Sequence, residues 1–131
     1  MAQKITTVSS AALAFLGDSV YEVMIRNRVV EECIGNADEL NKKSKALTNA
    51  KAQAHIADVL KDQLTEEELA VYKRGRNLKS LTAPRSCTIS EYRRATGLEA
   101  LMGYLYLENR KGRMEQLLET GLAAIRESDA E

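Results

Sequence analysis

Two carboxylates far apart in the chain each stand inside an otherwise apolar segment. Asp18 lies within residues 13–22 and Glu99 within residues 96–107, both with apolar neighbours at helical spacing. A carboxylate on the core-facing side of a helix is unfavourable unless it is paired or holds a cation. Oxygen ligands without sulfur or imidazole partners favour magnesium or manganese. The pattern therefore predicts one shared site for Mg²⁺ or Mn²⁺, although separate pairings of the two acids with Arg or Lys would explain it as well.

Two glycines indicate that these segments meet. Gly17 precedes Asp18, and Gly103 follows Glu99 by one helical turn. A glycine inside a helix costs about 1 kcal/mol relative to alanine, a loss that is easiest to justify where two helices approach closely. We therefore expect the helices that carry Asp18 and Glu99 to pack against each other. Glu22 lies one turn after Asp18 on the same face and is a supporting candidate, able to orient water at the metal or a basic neighbour.

The charge of the chain is balanced overall but unevenly distributed. The sequence has 131 residues with 19 basic and 19 acidic side chains. Residues 42–94 carry twelve basic and six acidic side chains, a net charge of +6 that leaves −6 for the rest of the chain. This asymmetry is typical of contact with a polyanion such as a nucleic acid. A solvated helical surface of mixed charge is the competing interpretation.

Residues 75–88 form the one sizeable segment that the sequence predicts to be irregular. Its Gly, Asn, Ser and Pro content breaks helices, and loops of this length are usually functional or mobile, although a merely solvated loop is the alternative. Arginines here suit phosphate because the planar guanidinium donates two hydrogen bonds. Nearby aromatic residues are limited to Tyr72 and Tyr92, so double-stranded RNA fits better than a single strand, which needs stacking platforms. The candidate RNA-binding residues are Lys73, Arg74, Arg76, Asn77, Lys79, Ser80, Arg85, Arg93 and Arg94.

Apolar residues recur at helical spacing along nearly the whole chain, which predicts an all-α fold. Capping residues indicate several helix starts: Ser9 or Ser10 for the first helix, Asn36 or Asp38 for the second, and a capping box at Thr65 for the fourth. The expected helices span roughly residues 10–33, 36–47, 50–64, 69–74, 90–109 and 113–126. The expected core stripe of the first helix includes Leu13, Leu16, Val20, Val23 and Met24.

Composition excludes some kinds of site and location. A structural zinc site needs about four nitrogen or sulfur ligands, whereas the chain offers only Cys33, Cys87 and His55. No secretory signal and no run of about 20 apolar residues is present, so we expect a cytoplasmic protein with reduced thiols. The length is that of one domain, spanning residues 1–131.

Several short motifs resemble those of one enzyme family. Residues 15–20, Phe-Leu-Gly-Asp-Ser-Val, resemble the signature of ribonuclease III domains, and residues 98–107 resemble the second characteristic segment of that family. Residues 51–54, 72–80 and 92–100 are similar to Mini-III ribonucleases, which consist of the catalytic domain without a separate double-stranded-RNA-binding domain. The motifs follow in the same order, and the resemblance covers roughly residues 9–125.

The resemblance implies an all-α, ribonuclease III endonuclease-domain-like helical bundle that forms a homodimer from single-domain chains. It implies cleavage of double-stranded RNA with magnesium, and maturation of the large-subunit (23S) ribosomal RNA precursor as the role. A ribosomal protein is then a candidate further partner. By motif position, Asp18 and Glu99 match the catalytic carboxylates that hold the metal in this family.

Two positions depart from the larger enzymes of the family. Ala14 stands where they carry a glutamate and Thr96 where they carry an aspartate, and the Mini-III pattern shares both departures. Water or RNA phosphate oxygens would then complete the coordination of the ion, with Thr96 as a supporting residue. The departures also favour an alternative function, a non-catalytic dimeric module that binds double-stranded RNA. A helical DNA-binding regulator has less support, because no helix-turn-helix pair with a basic recognition helix stands out.

Overall fold

The structure is a computed structural model that describes residues 7–79 and 82–130. Within those ranges the chain forms six α-helices and no β-strand, which confirms the predicted all-α fold. The helices are α1 (Ser10–Glu32), α2 (Ala37–Thr48), α3 (Ala50–Leu60), α4 (Glu66–Arg76), α5 (Ile89–Leu107) and α6 (Lys111–Ala130). A 3-10 turn (Lys61–Gln63) follows α3. In the described part of the chain, no helix combines the length and the apolar character needed to cross a bilayer.

Side-chain caps set where the helices begin. The Ser9 hydroxyl accepts a hydrogen bond of 3.1 Å from an amide in the first turn of α1. At the start of α4, the Thr65 hydroxyl accepts a hydrogen bond from the Glu68 amide (3.2 Å), and Glu68 Oε1 accepts one from the Thr65 amide (3.0 Å). These two bonds confirm the predicted capping box and fix the first turn of α4. The helix therefore begins at Glu66, earlier than predicted.

Gly75 lies inside α4, whereas the sequence predicted that it would begin the irregular segment. A Cβ atom there would lie 2.6 Å from the Cβ of Ala100, so glycine lets α4 pack closely against α5. The irregular segment therefore begins only at Asn77 and ends at Thr88, the N-cap of α5. The end of the third helix also differs from the prediction, because α3 ends at Leu60 and the 3-10 turn follows it.

Helix α5 is the central helix and packs against α1, α3 and α4. Within residues 95–105, Glu99 is the only residue that is not buried. Leu98, Leu101 and Met102 are almost completely removed from water. Burying each such side chain stabilises the fold by about 1.5–3 kcal/mol. The core therefore fixes α5 firmly and holds Glu99 at the one partly exposed position within residues 95–105.

The buried face of α1 differs in part from the predicted stripe. Leu13 and Val20 are buried as expected, and Leu16 and Met24 are partly buried. The placement of Val23 in the stripe is wrong, because this side chain is 67 % exposed. The buried residues of α1 are Leu13, Ala14, Gly17, Val20, Tyr21, Ile25 and Val29. Their spacing of three to four residues marks the face that packs against α5, and Val23 points away from that face.

A buried ion pair joins the start of α4 to α6. Glu68 is 1 % exposed, and its carboxylate accepts hydrogen bonds from Arg113 Nε (2.9 Å) and Nη2 (2.7 Å). Arg113 Nη2 also donates to the carbonyl oxygen of Gln63 (2.9 Å). The guanidinium lowers the pKa of Glu68 despite the opposing effect of burial. Glu68 therefore acts both as a helix cap and as one half of a two-pronged ion pair.

We expect Arg113→Met to lower the free energy of unfolding at pH 7 by about 3–5 kcal/mol, because it leaves the buried Glu68 carboxylate without its partner. In the parent protein the pKa of Glu68 lies below its ordinary value of 4.5, so the pair stabilises the fold above that pH and loses its effect as the carboxylate is protonated. The stability difference between parent and variant should therefore shrink on acidification. Urea unfolding at several pH values measures it.

Arg110→Met is the matched control, since Arg110 is exposed and precedes α6. It should change the free energy of unfolding by no more than about 0.5 kcal/mol. Equal stability of the Arg113→Met variant and the parent at pH 7 would contradict the role given to this ion pair.

Candidate metal and RNA site

Helices α1 and α5 touch through their backbones at the two glycines that the sequence singled out. A Cβ atom on Gly17 would overlap the carbonyl oxygen of Glu99 and would lie 2.9 Å from the amide nitrogen of Gly103. A Cβ atom on Gly103 would overlap the carbonyl oxygen of Leu13. The predicted close approach is therefore confirmed, and it places Asp18 and Glu99 next to each other across the contact.

The carboxyl groups of Asp18 and Glu99 lie close enough to share a hydrogen bond. Burial first, and then the hydrogen bond and charge of Asp18, raise the pKa of Glu99 to about 8. Two carboxyl groups at this range hold either a proton or a cation between them. Among the described residues, neither forms an ion pair with a Lys or Arg, which disfavours the alternative of two separate pairings.

The two acids differ in exposure, and only Glu99 resembles the expected buried carboxylate. Glu99 is partly buried, whereas Asp18 is exposed, so the prediction that Asp18 faces the core is wrong. Asp18 follows Gly17 by one residue, which turns its side chain out of the helix contact and towards its edge. The pair is therefore open to solvent on the Asp18 side and closed by protein on the Glu99 side.

Gln53 of α3 completes the buried side of this site, and the sequence analysis did not single it out. It is 4 % exposed, and its Nε2 donates to the carbonyl oxygen of Thr48 (2.8 Å). Its amide lies near enough to the Glu99 carboxyl group to lower the pKa of that group, against the larger effects of burial and Asp18. Its Oε1 is buried and has no hydrogen-bond partner in the described part of the chain. A buried acceptor without a donor costs about 1–3 kcal/mol. The sequence signals were its position in the family motif at residues 51–54 and its polar side chain on the inner face of an otherwise amphipathic helix.

The donor set fits a hard divalent cation. Carboxylate oxygens are ligands that Mg²⁺ prefers. A free amide oxygen can accept a hydrogen bond from a water molecule bound to the ion. The described residues contain no group of three or more His, Cys, Asp or Glu side chains placed to hold a metal. Asp18 and Glu99 are therefore the protein carboxylates available to an ion here, and water or substrate oxygens would supply its other ligands.

The neighbouring polar residues are engaged within the protein. The buried Tyr21 hydroxyl donates to the carbonyl oxygen of Leu47 (2.8 Å), and burial, followed by the charges of Glu99 and Glu22, raises its pKa. Glu22 accepts a hydrogen bond from Arg26 Nε (3.1 Å), one turn further along α1. Tyr21 stays protonated and links α1 to the end of α2 beside the site.

The two positions that differ from the larger enzymes, Ala14 and Thr96, provide no further carboxylate beside Asp18 and Glu99. Ala14 is buried in the contact between α1 and α5. Thr96 is also buried, and its hydroxyl donates to the carbonyl oxygen of Tyr92 (2.9 Å) inside α5. The Thr96 hydroxyl therefore uses its hydrogen in a bond within α5, one turn before Glu99.

The predicted RNA-binding residues do not all share one surface. Arg76 lies over the ring of Tyr72, 5.7 Å from its centre, and its Nε donates to Asn77 Oδ1 (3.2 Å). Arg74, two residues earlier, instead lines a groove between α1 and α4 together with Tyr104. The exposed members of the set are Lys73, Arg74, Asn77, Lys79 and Arg85, and Ser80 lies outside the described residues.

Two of the predicted cations lie on the helix of Glu99. Arg93 and Arg94 are partly buried in the second turn of α5. Arg94 forms an ion pair with Asp58 of α3, and its Nε donates to the carbonyl oxygen of Ser90 (3.3 Å). The structure thus brings Arg93 and Arg94 within two turns of Glu99 along one helix, with Arg94 already paired.

Comparisons with known proteins identify the family of the chain. The Ribonuclease III domain family matches residues 11–110 of the chain. The chain is 40% identical over 123 residues to a Mini-ribonuclease 3 of Thermoanaerobacter sp. (strain X514), covering 94% of this chain and 87% of that protein. It is 38% identical over 124 residues to a Mini-ribonuclease 3 of Enterococcus faecalis, covering 93% and 94%. An X-ray crystal structure of a Fusobacterium nucleatum protein superposes with a TM-score of 0.83 at 36% identity, covering 94% of this chain and 98% of that one.

The chain belongs to the ribonuclease III family, and within it to the Mini-ribonuclease 3 group. This membership makes it an endoribonuclease, and the resemblance found in the motifs is confirmed over most of the chain.

Proposed function

We propose that the chain cleaves double-stranded RNA at a divalent cation, Mg²⁺ or Mn²⁺, held by Asp18 and Glu99. The observation that carries this proposal is the close approach of two carboxyl groups, across the contact of α1 and α5, that have no basic partner in the described part of the chain. The backbone contact at Gly17 and Gly103 keeps the two acids together. The substrate we propose is the precursor of the large-subunit (23S) ribosomal RNA, in the cytoplasm, with a ribosomal protein as a candidate assisting partner.

The proposed reaction is hydrolysis of a phosphodiester bond. Water attacks phosphorus, the bond from phosphorus to the 3′ oxygen breaks, and the products carry a 5′-phosphate and a 3′-hydroxyl. A bound divalent cation supplies activation of water and stabilisation of the charge on the phosphoryl group. Asp18, on the exposed side, is the acid that the substrate meets first. Glu99, fixed by α5 and Gln53, closes the site from within.

The basic residues near the loop 77–88 are the surface that we propose holds the duplex. Lys79 and Arg85 are exposed in the loop, and Arg93 lies on the helix that carries Glu99. Each can reach a phosphate through charge-assisted hydrogen bonds. Arg94 joins this surface by exchanging its ion pair with Asp58 for a phosphate. The duplex would thus lie across the start of α5, on the way to the paired acids.

Replacing Arg85 by Gln should weaken duplex binding and flatten its salt dependence. Removing one cation that binds a phosphate lowers the slope of log K against log salt concentration by about 1. Binding of the duplex to a cleavage-deficient background, measured between low and moderate salt, gives this slope. Arg110→Gln is the matched control, because Arg110 is exposed and lies at the far end of α5. An unchanged slope for Arg85→Gln would remove Arg85 from the RNA-binding surface.

We further propose that the active form is a homodimer joined along α1. Phe15 is 83 % exposed and Val23 is 67 % exposed, although both are apolar. Beside them lies a groove of about 450 Å³, lined mainly by apolar residues that include Leu16, Met24 and Met114. Exposed apolar surface of this kind next to a groove is typical of a protein contact. Sedimentation equilibrium should give twice the chain mass of 14.5 kDa.

The alternative from the sequence, a non-catalytic module that binds double-stranded RNA, rests on Ala14 and on the internal hydrogen bond of Thr96, and membership of the Mini-ribonuclease 3 group disfavours it. Incubating the protein with a long RNA duplex in Mg²⁺ or in EDTA separates the two functions. Cleavage in Mg²⁺ that stops in EDTA supports the nuclease, whereas a shifted but intact duplex supports the binding module. A DNA duplex in the same assay tests the DNA-binding alternative.

A further inference from the structure

The strongest unexplained feature outside the two acids is the Gln53 side chain. It is buried against the site at the N-terminal part of α3, and one of its two polar atoms is engaged while the other is not. Nε2 donates to the Thr48 carbonyl oxygen, which fixes the plane of the amide. Oε1 is buried and lacks a donor among the described residues. A buried polar atom without a partner requires an explanation, such as an ion or a water molecule that belongs to the site.

We propose that Gln53 is a positioning residue for the divalent cation: it orients the Glu99 carboxylate and offers Oε1 as an acceptor to the hydrated ion. This inference rests on the proposed cation site at Asp18 and Glu99. Magnesium keeps several of its water molecules in protein sites, and these are the donors that Oε1 lacks. The chain of contacts from Thr48 to Gln53 to Glu99 ties the end of α2 to α5.

The arrangement corresponds to the outer shell found around metal ligands in general, in which buried polar groups hold the ligands in place. The buried polar or charged residues of the described chain are Ser44, Gln53, Glu68 and Thr96. Glu68 is paired with Arg113, Thr96 is bonded inside α5, and Ser44 lies in a cleft between α1 and α2. Of these four, Gln53 is the one whose side chain acts on the pKa of the Glu99 carboxyl group.

The test is a titration of the full chain with Mn²⁺ in the absence of RNA. The electron paramagnetic resonance signal of the unbound ion measures how much Mn²⁺ is free at each step. Gln53→Met keeps the length of the side chain and removes its hydrogen bonds, and it should weaken Mn²⁺ binding by about 10–100-fold. Gln53→Asn keeps the amide but shortens its reach, and it should give a smaller loss. The exposed Gln63→Met is the matched control and should bind Mn²⁺ as the parent does.

A kinetic readout separates positioning from general loss of structure. The Mg²⁺ concentration for half-maximal cleavage should rise in Gln53→Met, while kcat at saturating Mg²⁺ stays within a few-fold of the parent. If Gln53→Met does not fold, Gln53→Asn carries the test. Parental Mn²⁺ affinity in a folded Gln53 variant would overturn this inference, whereas parental affinity in Asp18→Asn would overturn the proposed site itself.

Discussion

Asp18→Asn should abolish cleavage of double-stranded RNA and leave binding of the duplex intact. The substitution keeps the size of the side chain but removes the charge that a cation needs. Because the loss of a group that only orients a metal ligand already costs 10–100-fold, the loss of a direct ligand should lower kcat/KM by more than about 100-fold. The measurements are single-turnover cleavage in Mg²⁺ and duplex binding in Ca²⁺ or EDTA.

The structure provides controls for this experiment. Glu99→Gln should behave as Asp18→Asn does, because the two carboxyl groups act as one site. Asp62→Asn replaces an exposed aspartate in the 3-10 turn and should cleave at the parental rate. Thermal unfolding should show that Asp18→Asn is folded, since Asp18 is exposed. Cleavage at the parental rate by Asp18→Asn would remove Asp18 from the catalytic site.

Gly17→Ala should destabilise the protein by about 2 kcal/mol. Alanine favours a helix by about 1 kcal/mol over glycine, but the new Cβ would overlap the Glu99 carbonyl oxygen, a backbone atom that cannot rotate away. Overpacking of a closely packed contact costs about 1–3 kcal/mol and sometimes more. Removing this overlap requires α1 and α5 to move apart, which also moves Asp18 away from Glu99. Urea unfolding and RNA cleavage should therefore both be affected.

Gly112→Ala is the matched control for helix propensity. Gly112 lies in the first turn of α6, and a Cβ atom there would meet nothing within 4 Å. This variant should be as stable as the parent or more stable by up to about 1 kcal/mol. If Gly17→Ala were equally well tolerated, the backbone contact between α1 and α5 would not have the closeness described above.

The features that the sequence predicted correctly are those with a local signal. The Thr65–Glu68 capping box is written in residues three apart, and the structure contains it. Gly17 and Gly103 indicated a helix contact because glycine inside a helix is unfavourable without one. The apolar spacing predicted helices almost everywhere, and six helices make up most of the described chain. Each of these inferences depended on neighbours within one or two helical turns.

The features that the sequence did not predict depend on contacts between distant segments. Val23 and Leu13 look alike in an apolar helix, and only the line of contact with α5 shows that Val23 is exposed. Gly75 looked like a helix breaker because the close packing against Ala100 is invisible in sequence. Glu68 was recognised as a cap, but its ion-pair partner Arg113 lies 45 residues away.

Gln53 shows the same limit at the candidate site. Its neighbours along α3 give no reason to place it beside Glu99, because that contact arises from the packing of α3 against α5. The exposure of Asp18 also follows from the packed helices rather than from its apolar neighbours. The proximity of the two acids was therefore predictable from Gly17 and Gly103, whereas the place of Gln53 beside Glu99 and the open side of the pair were not.

The most direct test of the central proposal is an anomalous difference map from crystals of this protein soaked in Mn²⁺. We predict a peak that is bounded by the carboxylates of both Asp18 and Glu99, with Gln53 behind it. A map with no peak between these two carboxylates, or with manganese bound only elsewhere, would contradict the proposal that they form one cation site.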